Sequence, residues 1–324
     1  MRVVLVGAGR HAMIHLLAWR KVPGVQVIVV ARRPERLAEV AAEYGAETST
    51  DLDAALDGAD RADICTPPDT HAHLARRALA AGVPTIVEKP AARTVDEALA
   101  LADSAGSVPL ACMLNNRYSK LWRRARDLVR MRLIGDPLIS LWPVLADNRR
   151  LFEAPDFRAD AARGGGVLLD GAIHLIDLIP WVLSQPLVAA TPWLGHLSSQ
   201  PPAGEDTALV SFEHVGGVAQ LIYSWSVPLP TRLPAATLIG TEGTLLVPRS
   251  AKLPFELIRD RETIEHGMGE YTNMSRNDLG NAIARFAEDP AAAAAETWEQ
   301  AIAAQTVVER CEAAANTGIC RVEL

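Results

Sequence analysis

The chain has 324 residues, 49% hydrophobic and 22% charged, with a formal net charge of −7. That length suggests about two domains, and the apolar content excludes disorder as a description of the whole chain. The acid excess argues against a nucleic-acid coat, which needs clustered Lys and Arg. Of the 32 basic side chains only Lys21, Lys89, Lys120 and Lys252 are lysine. No apolar run approaches the roughly 18 residues of a membrane span, so no membrane association is expected. Arg2 to Val6 reads as a strand entering a glycine turn, not as a signal peptide. Cys65, Cys112, Cys311 and Cys320 form no C-x-x-C pair, and a reducing, cytoplasmic setting is expected.

The first third alternates strands and helices. Arg2–Val6, Val25–Val30, Ala62–Cys65, Thr85–Val87 and Val108–Leu114 are apolar strand candidates. Helices are expected at His11–Arg20, at Pro34–Tyr44 with Gly45 as its C-cap, from Asp69 or Thr70 to about Gly82, and at Thr94–Ala105. Thr94 and Glu97 have capping-box spacing. Apolar strands separated by helices imply a doubly wound parallel sheet. After about residue 120 the pattern changes. An Arg-rich helix, Leu121–Leu133, precedes strand candidates at Leu138–Leu145, Ala208–Phe212, Val218–Ser226, Ala236–Ile239 and Thr244–Val247. Turns at Glu213–Gly217 and Thr241–Gly243 suggest a mostly antiparallel sheet. Helices at Ser275–Glu288 and Glu296–Ala315 close the chain. The expected division is one domain over 1–120 and a second over 121–324, in an α/β protein.

Gly7-Ala8-Gly9-Arg10-His11-Ala12 matches G-x-G-x-x-G/A between a strand and a helix, the context that motif requires. Gly7 allows the tight turn and Gly9 the close approach of a pyrophosphate. Ala12 keeps helix and sheet together. The helix N-terminus supplies free N–H groups and a positive dipole end to the phosphates. At the end of the second strand an NAD site usually has Asp or Glu. Here Ala31-Arg32-Arg33-Pro34 offers two guanidinium groups, which bind phosphate through a planar fork. NADP is therefore preferred over NAD. If both arginines are only solvated surface charge, NAD remains open.

Glu88-Lys89-Pro90 follows a buried strand at the edge where parallel sheets bind ligands. Lys89 there can hydrogen-bond a reacting hydroxyl and favour its deprotonation, although a lone lysine is more often simply exposed. Gly164-Gly165-Gly166 leads into a helix carrying Asp170, His174 and Asp177 among apolar neighbours. Asp170 and His174 share one helix face. A polyol would satisfy such buried polar groups, and His suits proton exchange near neutral pH. A structural His–Asp pair is the alternative. No H-E-x-x-H or Cys cluster suggests a metal.

With these motifs the chain resembles the Gfo/Idh/MocA oxidoreductase family, which includes glucose–fructose oxidoreductase and inositol dehydrogenase. The resemblance rests on Gly7-x-Gly9, Cys65-Thr66-Pro67 with His71, Glu88-Lys89-Pro90, Arg117-Tyr118, Gly164-Gly165-Gly166 and Asp170-x-x-x-His174. It continues through Glu205-Asp206-Thr207 and Gly240-Thr241-Glu242-Gly243. It implies a Rossmann domain, then an α/β domain with an open, mostly antiparallel sheet that makes a homodimer or homotetramer. It implies that Lys89, Asp170 and His174 are catalytic or substrate-positioning residues. Arg10, His11, Thr66, Pro67, His71, Glu88 and Lys89 are expected around the cofactor, as is Arg158, which with Phe157 resembles a Trp-Arg pair of some NADP-dependent members. Arg117 and Tyr118 are expected substrate contacts. The implied reaction is hydride transfer between NAD(P) and a carbinol or carbonyl carbon of a sugar, sugar derivative or cyclitol. The alternatives are a non-catalytic nucleotide-binding regulator and an NAD-dependent glycosidase.

Overall fold

A computed structural model describes residues 1–148, 165–198, 204–227, 233–250, 252–267 and 278–324. The chain forms two units, residues 1–115 with 277–305, and residues 116–276 with 306–324. A single cut at residue 120 therefore misses the return of 277–305 to the first unit.

The first unit runs β1 (Arg2–Val6), α1 (Arg10–Trp19), β2 (Gln26–Val30), α2 (Pro34–Tyr44), β3 (Glu47–Ser49) and α3 (Leu52–Leu56). It continues with β4 (Arg61–Ile64), α4 (His71–Ala80), β5 (Thr85–Val87), α5 (Val95–Ala105) and β6 (Leu110–Cys112). The six strands are all parallel, in the order β3-β2-β1-β4-β5-β6. Right-handed crossovers through helices favour this doubly wound arrangement. β1, β4 and β5 are mostly buried because helices cover both faces, with Asp63 of β4 a buried exception to their mainly apolar character. Local signals set the helix ends. Pro34 sits in the first turn of α2, and Gly45 ends it in the left-handed region at φ +59°. The Thr94 side chain accepts from the Glu97 amide at 3.2 Å.

Two elements complete this unit: α8 (Asp278–Glu288) and the start of α9 (Pro290–Thr317). Their return has a physical cause. Trp298 and Ala301 of α9 bury into the same apolar cluster as Leu101 and Leu110. Phe286 of α8 makes an edge contact with Trp19.

The second unit contains α6 (Lys120–Arg130), β7 (Pro137–Leu145), α7 (Ile173–Leu183), β8 (Leu187–Gly195), β9 (Thr207–His214) and β10 (Gly217–Ser224). β11 (Ala236–Gly240), β12 (Thr244–Val247), β13 (Phe255–Arg259), β14 (Glu262–His266) and β15 (Val322–Glu323) complete it. These strands form one nine-stranded sheet, β14-β13-β12-β11-β7-β10-β9-β8-β15. All its neighbours are antiparallel except β7 and β10, which run parallel. Ile139 and Leu141 of β7 and Val218 of β10 are exposed apolar side chains on this sheet. Among the described residues no helix is long and apolar enough to cross a membrane.

Candidate functional site

The strand order of the first unit reverses between β1 and β4, the place where ligands bind beyond the carboxyl ends of such sheets. Gly7 follows β1 with φ +130°, and a Cβ there would lie 2.1 Å from the Cys65 carbonyl oxygen. Only glycine fits. Gly9 is the N-cap of α1 and has no side-chain cap, and the first turn carries no acid. A Cβ on Gly9 would meet nothing within 4 Å. Free amides, a positive helix end and open space are the features a pyrophosphate needs, so the residues present fit a dinucleotide. Ala12 is buried beneath the turn, while Arg10 and His11 are exposed.

Arg32 and Arg33 stand exposed after β2, with Arg33 at the N-cap of α2. Sequence reasoning missed Arg36, whose Nε donates to the Ala8 carbonyl in the glycine loop at 2.8 Å. That bond ties the loop to α2 and adds a third guanidinium on this side.

The strand ends after β4 and β5 are laced together. The buried His71 ring lies between the carbonyl oxygens of Thr66 (2.7 Å) and Pro90 (2.8 Å). Burial lowers its pKa, and the two carbonyls act against that shift. The Thr66 hydroxyl accepts from the Thr70 hydroxyl at 2.8 Å, and Pro67 precedes the short 3-10 turn Pro68–Thr70. The Lys89–Pro90 peptide is cis. Glu88 is buried: Oε1 meets His11 Nε2 at 3.1 Å and His15 Nε2 at 2.9 Å, and Oε2 accepts from the Lys89 amide at 3.0 Å. One ligand-type atom from each of His11, His15 and Glu88 lies within 4.8 Å of the others, a set of metal-ligand type that no sequence motif announced. The other nitrogen of His15 faces Asp63 at 2.8 Å. A ring between two carboxylates donates from both nitrogens and has no lone pair for a metal.

In the second unit Gly166 has φ +101°, and a Cβ there would lie 2.7 Å from a Glu205 carboxylate oxygen. Glu205 caps the adjoining turn: its side chain accepts from the Leu168 amide at 2.8 Å and its carbonyl from the Val167 amide at 2.9 Å. Val167–Ala172 is wound as a π-helix, not as the start of an ordinary helix. Asp170 lies buried in that wide turn, and His174 in the first turn of α7. Such wide turns occur often at functional sites. Burial pushes the neighbouring Tyr223 hydroxyl up to about 12, and Asp170 adds to the shift.

Arg117 and Asp177 are joined. Arg117 Nη2 donates to Asp177 Oδ1 at 2.6 Å and Nε to Oδ2 at 2.9 Å. Burial raises the Asp177 pKa, which Arg117 partly offsets. Arg123 lies over the buried Tyr118 ring at 5.3 Å. The Arg117 fork thus has an internal carboxylate in place of a free sugar contact. Gly164, Phe157 and Arg158 lie outside the described residues.

The Glu205–Asp206–Thr207 motif is structural in the described geometry, since Asp206 accepts from the Leu197 and Ser198 amides at 2.9 Å. Glu205 also repels Glu312 of α9. Burial first, then Glu205 and Glu309, push the Glu312 carboxyl up to about 7. A carboxyl with a raised folded-state pKa favours the fold below its unfolded pKa, and that contribution is lost as pH rises to about 7. Glu312→Gln is therefore expected to stabilise the protein by about 1–3 kcal/mol at pH 8 and to change little near pH 4. Thermal melts of both proteins at the two pH values check this.

Residues 1–116 match the model of an oxidoreductase family with an NAD-binding Rossmann fold, and residues 122–246 match the GFO/IDH/MocA C-terminal domain. D-apiose dehydrogenase of Rhizobium rhizogenes is 26% identical over 263 residues, 78% of this chain and 75% of that protein. Levoglucosan dehydrogenase of Pseudarthrobacter phenanthrenivorans is 30% identical over 202 residues, 57% of this chain and 52% of the relative. An oxidoreductase domain protein from Kribbella flavida superposes with a TM-score of 0.87 at 20% identity, covering 99% of this chain and 98% of that one.

Proposed function

Since the chain belongs to the Gfo/Idh/MocA oxidoreductase family, we propose that it is a dehydrogenase of sugars, sugar derivatives or cyclitols that prefers NADP to NAD. The observation that carries this reading is the uncapped, open N-terminus of α1 at Gly9, on the same sheet edge as Lys89. Relatives named for D-apiose, levoglucosan and inositol support the substrate class. Residues 1–115 with 277–305 hold the dinucleotide through Gly7, Gly9, Arg10, His11 and Ala12. Thr66, Pro67, His71 and Glu88 shape the adjoining loops. Residues 116–276 with 306–324 serve the substrate and assembly.

The nicotinamide, when bound, supplies the hydride acceptor or donor. His174 takes the hydroxyl proton. The Lys89 ammonium donates to the hydroxyl oxygen and favours its deprotonated form. Asp170 accepts from a neighbouring hydroxyl and so fixes the ring. The buried thiols of Cys65, Cys112 and Cys311 support a reducing, cytoplasmic setting. The exposed apolar side chains on β7 and β10 support a homo-oligomer through the sheet. Light scattering at the mass of a single chain would exclude it.

Arg32 and Arg33 carry the NADP preference. A charge-assisted phosphate contact is worth about 1.5–3 kcal/mol. Replacing both by Ala is therefore expected to weaken NADPH binding by about ten- to a hundredfold and to leave NADH within about threefold. Fluorescence titration of the two cofactors against both proteins is the check. Equal NADPH and NADH affinity in the unaltered protein removes the preference.

A further inference from the structure

We infer that Asp63 and His15 are positioning residues that act through Glu88 to fix the backbone of Lys89. The inference rests on the catalytic reading of Lys89 given above. Its basis is a chain of bonds that the proposed reaction does not use. Trp19 Nε1 donates to Asp63 Oδ2 at 2.7 Å, and His15 Nδ1 meets the same oxygen at 2.8 Å. His15 Nε2 meets Glu88 Oε1 at 2.9 Å, and Glu88 Oε2 receives the Lys89 amide at 3.0 Å. His15 and Asp63 are 0% exposed and Glu88 is 6% exposed.

The charges along these bonds are set by the geometry. Only imidazolium donates from both ring nitrogens, and both nitrogens of His15 face carboxylate oxygens. Burial alone would lower the His15 pKa, but Asp63 reverses this and holds it well above the ordinary value. Burial alone would raise Glu88, but its bonds to His11 and His15 hold it well below the usual carboxylate range. Cys65 is the other titratable group facing His15, and burial pushes its thiol up to about 11, so it stays neutral. The result is one buried cation between two buried anions. A buried ion pair of this kind is weak evidence for stability, but it fixes geometry. Glu88 stays ionised and keeps both oxygens occupied, with one held by the histidines and the other on the Lys89 amide.

Removing the cation has a directional consequence. In His15→Gln, Glu88 remains buried and keeps one of the two histidines that meet Oε1, His11, whose side chain is 50% exposed; the other titratable groups near it are the buried His71 and the Cys65 thiol. The Glu88 pKa then rises, so Glu88 protonates as pH falls through a range where it is normally ionised. Protonation weakens its hold on the Lys89 amide.

The test combines hydrogen exchange with pH profiles. Exchange at the Lys89 amide is expected to speed up at least tenfold in His15→Gln, and in the same direction by less in Asp63→Asn. The acid limb of kcat, followed with whichever sugar of a panel reduces the cofactor, is expected to move up by at least one pH unit. The double variant His15→Gln/Glu88→Gln is expected to lose that displaced limb, which a merely structural role would not produce. Asp63→Asn is nearly isosteric and keeps the test open if His15→Gln fails to fold. Unchanged exchange and an unmoved limb in both single variants would overturn the inference. The exchange readout needs no substrate, so it stands apart from the catalytic reading. Lys89→Ala with full turnover would overturn that reading alone.

Discussion

Lys89→Ala is expected to lower kcat by about 10²–10⁴-fold with cofactor affinity within a few-fold of the unaltered protein, the range general acid–base groups contribute. The separation comes from where Lys89 sits. On the proposed reading the phosphates rest on the glycine loop and the N-terminus of α1, whereas the proposed hydroxyl contact needs the Lys89 ammonium. Lys89→Arg is expected to rescue little, because a planar guanidinium does not place charge where a compact ammonium does. His174→Ala should fall as far, with partial recovery at high pH as solvent takes over the proton. Steady-state kinetics with a cofactor titration on each variant check the split. Full turnover in both variants would sink the assigned roles.

Gly7→Ala is expected to damage fold and binding together, and Gly9→Ala binding alone. At Gly7 a Cβ would sit 2.1 Å from a backbone oxygen at φ +130°, so β1 and the Cys65 loop must part. Left-handed strain and overpacking each cost about 1–3 kcal/mol, and a loss of about 3 kcal/mol lowers Tm by roughly 6–12 °C. At Gly9 φ is −77° and the added Cβ meets nothing. Its methyl enters only the open space that the proposed reading gives to a phosphate. Melting curves and NADH titration on both variants decide the matter. A Gly9→Ala protein that binds NADH normally would show that phosphates do not approach there.

The nucleotide half was legible because its signals are local. Strand, glycine turn and helix follow one another within Arg2–Trp19, and Pro34 and Gly45 bound α2 without help from distant residues. The features that escaped were short, polar or long-range. β3 and α3 span Glu47–Ser49 and Leu52–Leu56, too brief for a periodic pattern. β8 contains Pro192, which argues against a strand by composition, and β14 has no apolar run. The parallel pairing of β7 with β10 depends on residues far apart in the chain. The same limit applies to the site. His174 lies on an ordinary helix as its sequence pattern predicts, but Asp170 sits in the wide turn before it, and i→i+5 winding gives no sequence signature. Arg117 looked like a sugar contact because Asp177 lies sixty residues away. His15 belongs to no motif, and only folding brings Asp63 and Glu88 to its two nitrogens.

The most direct measurement is isotope transfer. A panel of sugars and cyclitols deuterated at the carbinol carbons is incubated with the protein and oxidised NADP, and the reduced cofactor is analysed by mass. Deuterium on the nicotinamide from at least one polyol, abolished by Lys89→Ala, is the expected result. Glycoside cleavage with no net reduced cofactor, or binding of cofactor with no transfer from any polyol, would contradict it.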